Sequence, residues 1–208
     1  QVAKECEALG ADTIVQQANV AEDADCRALA QSALDRWGRI DALVNNAGTT
    51  RFCAHENLEG LSAEDFHTLY GVNTVGAFQM VRAVAPAMQQ SGQGSIVNVA
   101  SIAGVMGFGS SIAYAASKGG IAALTLPSAR ELAHWGIRVL AIAPGIFDTP
   151  LLAGLPEKAR ASLGQQVPFP SRLGRPQEYA LLVEHIISNI MLNGETIRLD
   201  GGLRMAPR

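Results

Sequence analysis

Cysteine is scarce in this 208-residue chain: Cys6, Cys26 and Cys53 are the whole set, an odd number with no CxxC pair. That excludes a disulfide framework and fits a reducing, cytoplasmic setting. The four histidines, His55, His67, His134 and His185, lack ligand spacing, so they read as surface or packing groups and no metal is expected. No apolar run approaches the roughly 20 residues needed to cross a bilayer. No block of Lys or Arg occurs and the formal net charge is −3, so neither nucleic acid nor a membrane surface is an expected partner. Charged residues make up only 17% against 48% hydrophobic ones, which excludes disorder and provides for a sizeable core. The opening residues do not resemble a secretion signal. The chain starts on Gln1, inside what reads as a helix, so a preceding segment is expected.

Helix and strand patterns alternate along the chain. Residues 2–9 read as the end of a helix stopped at Gly10, and 13–17 as a short strand. Residues 23–37 carry helical apolar spacing and end at Gly38; residues 40–44 read as a buried strand. A Ser62–Asp65 capping box opens a helix expected to reach about Gln90. Strands follow at 94–100, 137–143 and 195–199, with helices at 113–134 and 177–188. Pro127 removes a hydrogen bond inside the second-last helix and is expected to kink it. The pattern predicts an α/β fold with a doubly wound parallel sheet, helices on both faces, in a single domain over 1–208. One long irregular stretch, 144–176, is rich in Pro and Gly and follows a strand's C-terminal end, where such sheets bind ligands.

Tyr114 and Lys118 are four apart, hence on one helix face. A phenol is a poor base at neutral pH, and a nearby ammonium favours its ionised form, which suits a general acid/base for hydroxyl–carbonyl interconversion. Ser101 closes the strand GSIVNVA, where its hydroxyl could bond a substrate oxygen. The loop between them, IAGVMGFGSSIA, holds small residues that let a ligand approach. Its Gly104, Gly107 and Gly109 have the reverse spacing of GxGxxG and do not open a helix at once, so an active-site loop is the better reading. Asn46-Ala47-Gly48 ends another strand with residues small enough for a ring or ribose to lie against the backbone. Pro144-Gly145 ends a third, with Thr149 just beyond. Polar or glycine-containing turns converge on one edge of the sheet. Cys53 lies near the NNAG turn, with Arg51 its only basic neighbour, too little to make a reactive thiol.

These motifs together (NNAG at 45–48, Asn73 in GVNTVG, Ser101, YxxxK at 114–118 and PGxxxT at 144–149) resemble the short-chain dehydrogenase/reductase superfamily in order and spacing over the whole chain. The C-terminal third, TPLLAGLPEK through LNGETIRLDGG, resembles the branch of type 2 3-hydroxyacyl-CoA dehydrogenases. The resemblance implies a Rossmann-like fold, NAD as cofactor with NADP open, an acyl-CoA-like substrate, and a homotetramer or homodimer assembled through the helices at 62–90 and 113–134. It implies Tyr114 as acid/base, Lys118 as its electrostatic partner and holder of the nicotinamide ribose, Ser101 on the substrate oxygen, and Asn73 in a water-mediated proton path to Lys118. It implies cofactor contacts at Asn46, Ala47, Gly48, Phe147 and Thr149. Asn19-Val20 stands where the family has Asp-Val beside the adenine; Asn19 either accepts from the adenine amino group there or caps the next helix.

The family's glycine-rich TGxxxGxG turn has no counterpart in these residues, nor do its first strand and helix, a difference of about 40 residues. In the family's strand order, the strands at 13–17 and 40–44 each lose a neighbour. An orphaned strand, an exposed apolar edge and poor cofactor affinity are therefore expected. Other readings are a 3-oxoacyl-carrier-protein reductase, another alcohol, steroid or sugar dehydrogenase, or a cofactor-sensing protein without turnover.

Overall fold

The computed structural model describes residues 1–51, 53, 57–106 and 112–204. Helix α1 is Val2–Ala8 and α2 is Asp23–Trp37. Strand β1 (Ala42–Asn45) leads, through a short 3-10 turn at Leu58–Gly60, to α3 (Ala63–Tyr70), a π-helical turn (Gly71–Val75) and α4 (Gly76–Ser91). Then come β2 (Gly94–Val99), α5 (Ile102–Met106), α6 (Ile112–Leu132) and β3 (Ile137–Pro144). The chain closes with α7 (Pro150–Ala153), α8 (Glu157–Gln165), α9 (Pro176–Ser188) and β4 (Thr196–Leu199).

The described strands form one parallel sheet in the order β1-β2-β3-β4, with Val44 beside Val97, Ile96 beside Val139 and Ile142 beside Ile197. The central strands are apolar on both sides because helices cover both faces. Ile96 and Val139 pack with Cys26, Met80, Val84 and Met88 of α2 and α4. Their strand neighbours Val97 and Leu140, pointing the other way, pack with Ile186 and Leu182 of α9. Arg138 fastens the end of α9: its guanidinium donates to the carbonyls of Ile186, Ile187 and Leu192 at 2.8–2.9 Å, three acceptors at the helix end and just beyond it. This is the α/β, Rossmann-like architecture that the alternation predicts.

Some elements differ from the sequence expectation. Residues 13–17 form no strand, because among the described residues no strand lies alongside to complete a ladder. That region is tied to α2 by polar contacts instead: Arg36 and the Trp37 indole both bond Asp12, and Ser32 bonds Gln16. Strand β1 lies at the sheet edge with Val44 40% exposed, as expected of a strand lacking a neighbour. The capping box is present, with Asp65 N–H donating to Ser62 Oγ at 3.2 Å and Ser62 N–H to Asp65 Oδ2 at 2.8 Å. The helix it opens runs to Ser91, but through the π turn. Helix α6 continues through Pro127, as α4 does through Pro86: the lost bond ends neither helix.

The stretch 144–176 is not structureless, since it contains α7 and α8. Its two ends are joined by a bridge between Phe147 and Gly174, with Asp148 N–H donating to Gly174 O at 2.8 Å and Gly174 N–H to Ile146 O at 2.9 Å. The first half of the expected glycine loop is helix α5; Gly107 and Gly109 lie outside the described residues, as does His55.

Candidate active site

The C-terminal ends of β1, β2 and β3 frame a cavity of about 460 Å³. Its lining includes Asn46, Gly48, Ser101, Tyr114, Lys118, Phe147 and Thr149. Ser101 stands between β2 and α5, where its Oγ accepts from Ala103 N–H at 3.2 Å. Tyr114 and Lys118 come from the first turns of α6, one turn apart.

Close packing of α5 on α6 sets the distance between Ser101 and Tyr114. A Cβ at Gly104 would stand 2.4 Å from the Lys118 carbonyl carbon and 2.5 Å from Gly119 N. Gly104 therefore serves the approach of two helices, where the sequence suggested room for a ligand. The Ser101 hydroxyl lies close enough to the Tyr114 phenol to act on its acidity. Burial pushes the Tyr114 phenol up from its ordinary value, and the neighbouring Ser101 hydroxyl opposes that rise. Lys118 is only 4% exposed, and its Nζ donates to the Val99 carbonyl at 2.6 Å. Burial brings its pKa down to about 8. In this arrangement burial and Ser101 set the phenol's acidity, while the lysine is held by the end of β2.

Asn73 sits in the π turn and is buried. The extra residue in a π turn shifts the helix register locally. The Asn73 amide meets the turn after NNAG from both sides: Oδ1 accepts from Thr49 N–H at 2.8 Å, and Nδ2 donates to Thr49 O at 2.9 Å. Nδ2 also donates to Ser117 Oγ at 2.9 Å, which in turn donates to the Tyr114 carbonyl at 2.8 Å. One amide thus ties the end of β1 to the helix bearing Tyr114 and Lys118. A Cβ at Gly48 would stand 3.2 Å from Asn73 Oδ1 and 3.4 Å from Lys118 Nζ, so the turn lies tightly over both groups.

Ala47, Asn19 and Val20 do not line the cavity. Asn19 begins a turn before α2: its Oδ1 accepts from Ala21 N–H at 3.1 Å, and its N–H donates to Asp25 at 2.7 Å. The cap of α2 itself is Glu22, without a side-chain bond, so Asn19 is not that helix's cap. The Val20 carbonyl accepts from Gln79 Nε2 at 2.8 Å, which binds this turn to α4.

Several lining residues were not singled out in the sequence, among them Thr50, Ile146, Leu152, Pro176 and Tyr179. The available signal for Thr50 and Ile146 was their adjacency to motif turns. Tyr179 reaches the cavity through the packing of α9, which local sequence does not reveal. Among the described residues no group of three or more His, Cys, Asp or Glu could hold a metal ion. Cys53 Sγ donates to the Asn57 carbonyl at 2.9 Å.

Comparison with known proteins gives a consistent result. A family model described as short chain dehydrogenase matches residues 1–160. The chain is 49% identical to the bovine 3-hydroxyacyl-CoA dehydrogenase type-2, over 96% of this chain and 80% of that protein. It is 38% identical to a 3-oxoacyl-(acyl-carrier-protein) reductase of Thermotoga maritima, over 96% of this chain and 80% of that one. A crystal structure described as a short-chain dehydrogenase/reductase from Burkholderia xenovorans superposes with a TM-score of 0.89 at 40% identity, covering 97% of this chain and 80% of that one.

Proposed function

The chain belongs to the short-chain dehydrogenase family, and from that membership we propose that this oxidoreductase acts on a CH–OH group, moving hydride between NAD(H) and a 3-hydroxyacyl-CoA or 3-oxoacyl-CoA substrate. One observation above others supports the chemistry: Ser101, Tyr114 and Lys118, brought from the end of β2 and from α6, line one cavity at the sheet's carboxyl edge. The substrate class follows the name of the bovine relative.

The residues present fit a nicotinamide dinucleotide. Gly48 leaves the turn open where a side chain would crowd Lys118 and Asn73. The cavity lining includes Asn46, Ser101, Tyr114, Lys118 and Thr149, side chains whose chemistry suits a polar guest. Lys118 would hold the nicotinamide ribose, Phe147 and Thr149 the carboxamide and pyrophosphate. Asn46, Ala47 and Gly48 would hold the adenosine ribose, and Asn19 and Val20 the adenine. When bound, the nicotinamide supplies the hydride acceptor or donor.

In oxidation, Tyr114 as phenolate takes the proton of the substrate hydroxyl while the carbonyl forms. Ser101 donates to the same oxygen, holding it and stabilising charge that develops on it. Lys118 holds its ammonium at the end of β2, where it would bind the ribose and take part in the proton path, and Asn73 serves a water-borne proton path towards it while fixing the turn at Thr49. A dimer or tetramer would assemble through α4 and α6.

The test is NADH consumption with acetoacetyl-CoA. Because weak cofactor affinity is expected, NADH is supplied at high concentration; turnover is then expected, and Tyr114→Phe should reduce kcat at least about 100-fold. Faster turnover of carrier-protein thioesters than of CoA thioesters would move the assignment to the reductase branch. NADH binding with no turnover of any carbonyl would favour a sensor and sink the enzymatic reading.

A further inference from the structure

We propose that the ion pair between Asp148 and Arg160 is a positioning device for the substrate: it staples the strap that carries Leu152, one wall of the cavity, and so sets the affinity for the acyl thioester without touching the reacting atoms. The inference rests on the reading of the cavity as the site of an acyl thioester and names residues that act on its binding there.

The strap runs from Thr149 to Arg160 and contains α7 and the first turn of α8. None of its described side chains is buried, so apolar packing gives it little hold. Its backbone hydrogen bonds are local. Leu152 N–H donates to Thr149 O at 2.9 Å, Leu155 N–H to Leu152 O at 3.0 Å, and Arg160 N–H to Pro156 O at 3.1 Å. Such bonds shape the turns but do not fasten the strap to the rest of the chain. Among the described residues, the side-chain bond that joins its far end to its root runs from Arg160 Nη2 to Asp148 Oδ1, at 2.5 Å.

Asp148 is a fixed root. Its N–H donates to Gly174 O at 2.8 Å, within the bridge that joins Phe147 to Gly174. Arg160 is partly sheltered: its side chain is 33% exposed and its Nε is shielded from solvent. The pair joins residues 12 apart, and the segment between them supplies two residues to the cavity lining, Thr149 and Leu152. Thr149 is assigned to the cofactor, so the apolar Leu152 falls to the acyl thioester. An ion pair open to solvent on one side is a weak tie, and a few-fold change in affinity is its proper scale.

The experiment compares wild type with Arg160→Met, which keeps an apolar stem but removes the charge, with Asp148→Asn, and with the double variant. The substrates are acetoacetyl-CoA and the acetoacetyl thioester of N-acetylcysteamine, with NADH at high concentration. The second thioester is uncharged, so lost attraction between Arg160 and the phosphates of CoA cannot mimic the effect. The expected result for both thioesters is a KM raised about two- to fivefold, with kcat within about twofold of wild type and an unchanged NADH dissociation constant. The double variant should match the single ones, because all three break the same pair. Hydrogen exchange of the ligand-free proteins reads the strap without turnover: the amides of Leu152 and Leu155 should exchange faster in each variant, while that of Gly174 keeps its wild-type rate. Unchanged exchange at Leu152 and Leu155 overturns the inference and leaves the proposed function standing. So does an unchanged KM, or a rise in KM that adds up in the double variant. A rise confined to acetoacetyl-CoA also overturns it, because Arg160 would then act as a charge on the CoA phosphates. Parallel losses of kcat and NADH affinity would mark a general structural role and overturn it too. If wild type turns over neither thioester, the proposed function fails and takes the substrate role with it, whereas exchange still decides whether the pair holds the strap.

Discussion

Burying the Lys118 ammonium works against the folded state at neutral pH. Its folded pKa, about 8, lies below the 10.5 of a solvated lysine. Below about pH 8 both folded and unfolded chains hold the proton and the whole penalty stands. Between about 8 and 10.5 the unfolded chain binds more protons, so stability rises with pH. The rise over that window is on the order of 3 kcal/mol. Lys118→Met should remove this rise, as read from urea unfolding of both proteins at a series of pH values; parallel curves would refute it. Tyr114 gives a prediction of the opposite kind, in rate rather than stability. In the proposed mechanism oxidation uses its phenolate, and burial raises its pKa, so kcat/KM for a 3-hydroxyacyl substrate should climb towards alkaline pH. Ser101→Ala removes the hydroxyl that opposes the rise, so the midpoint of that climb should move to higher pH while overall activity falls. A midpoint that stays or moves down would contradict the assigned pairing.

Helix α5 is short, yet it governs the spacing of the site. Gly104→Ala would drive a methyl group into the α6 backbone, where no side chain can swing aside. The expected cost is about 1–3 kcal/mol of stability, with a larger loss of kcat than any surface change, because Ser101 and Tyr114 are forced apart. Thermal unfolding and steady-state rates check both halves. At this scale some features were legible and others were not. Ser62–Asp65 and the strand ends at Asn46, Ser101 and Gly145 speak through local chemistry: caps, small turns and apolar runs. Residues 13–17 have the composition of a strand, but a strand needs a neighbour, and pairing is not a local property. The π turn around Asn73 has no compositional sign, because it is held by bonds to Thr49 and Ser117 on other elements. Helix α5 reads as loop for the same reason: glycine in isolation signals flexibility, whereas Gly104 is there for a helix contact.

Across the whole molecule, the apolar surface is uneven. Phe78 on α4 and Leu126 on α6 are 50% and 53% exposed, with Val75 and Ile112 also open, on the helices proposed to assemble the oligomer. Where such side chains are contiguous they mark an association surface. Sedimentation velocity should show a dimer or larger species, and Phe78→Asp should shift it to monomer; a monomeric wild type would rule the assembly out. Among the described residues no helix is long and apolar enough to cross a membrane. The overall plan was readable from the alternation of helix and strand because parallel sheets impose it. The cavity's far wall was not, since Tyr179 and Pro176 reach it only after the chain has crossed the sheet.

The bridge between Phe147 and Gly174 separates two evolutionary liberties. Everything between those residues, α7 and α8 included, leaves and returns through one fixed gate of backbone hydrogen bonds. Loop closure depends only weakly on loop length. Insertions, deletions or wholesale replacement around α7, whose Leu152 lines the cavity, can therefore reshape that wall without displacing Phe147 or Tyr179. A lineage built on this chain could change what the cavity accepts by trading that excursion while leaving Ser101, Tyr114 and Lys118 where they stand.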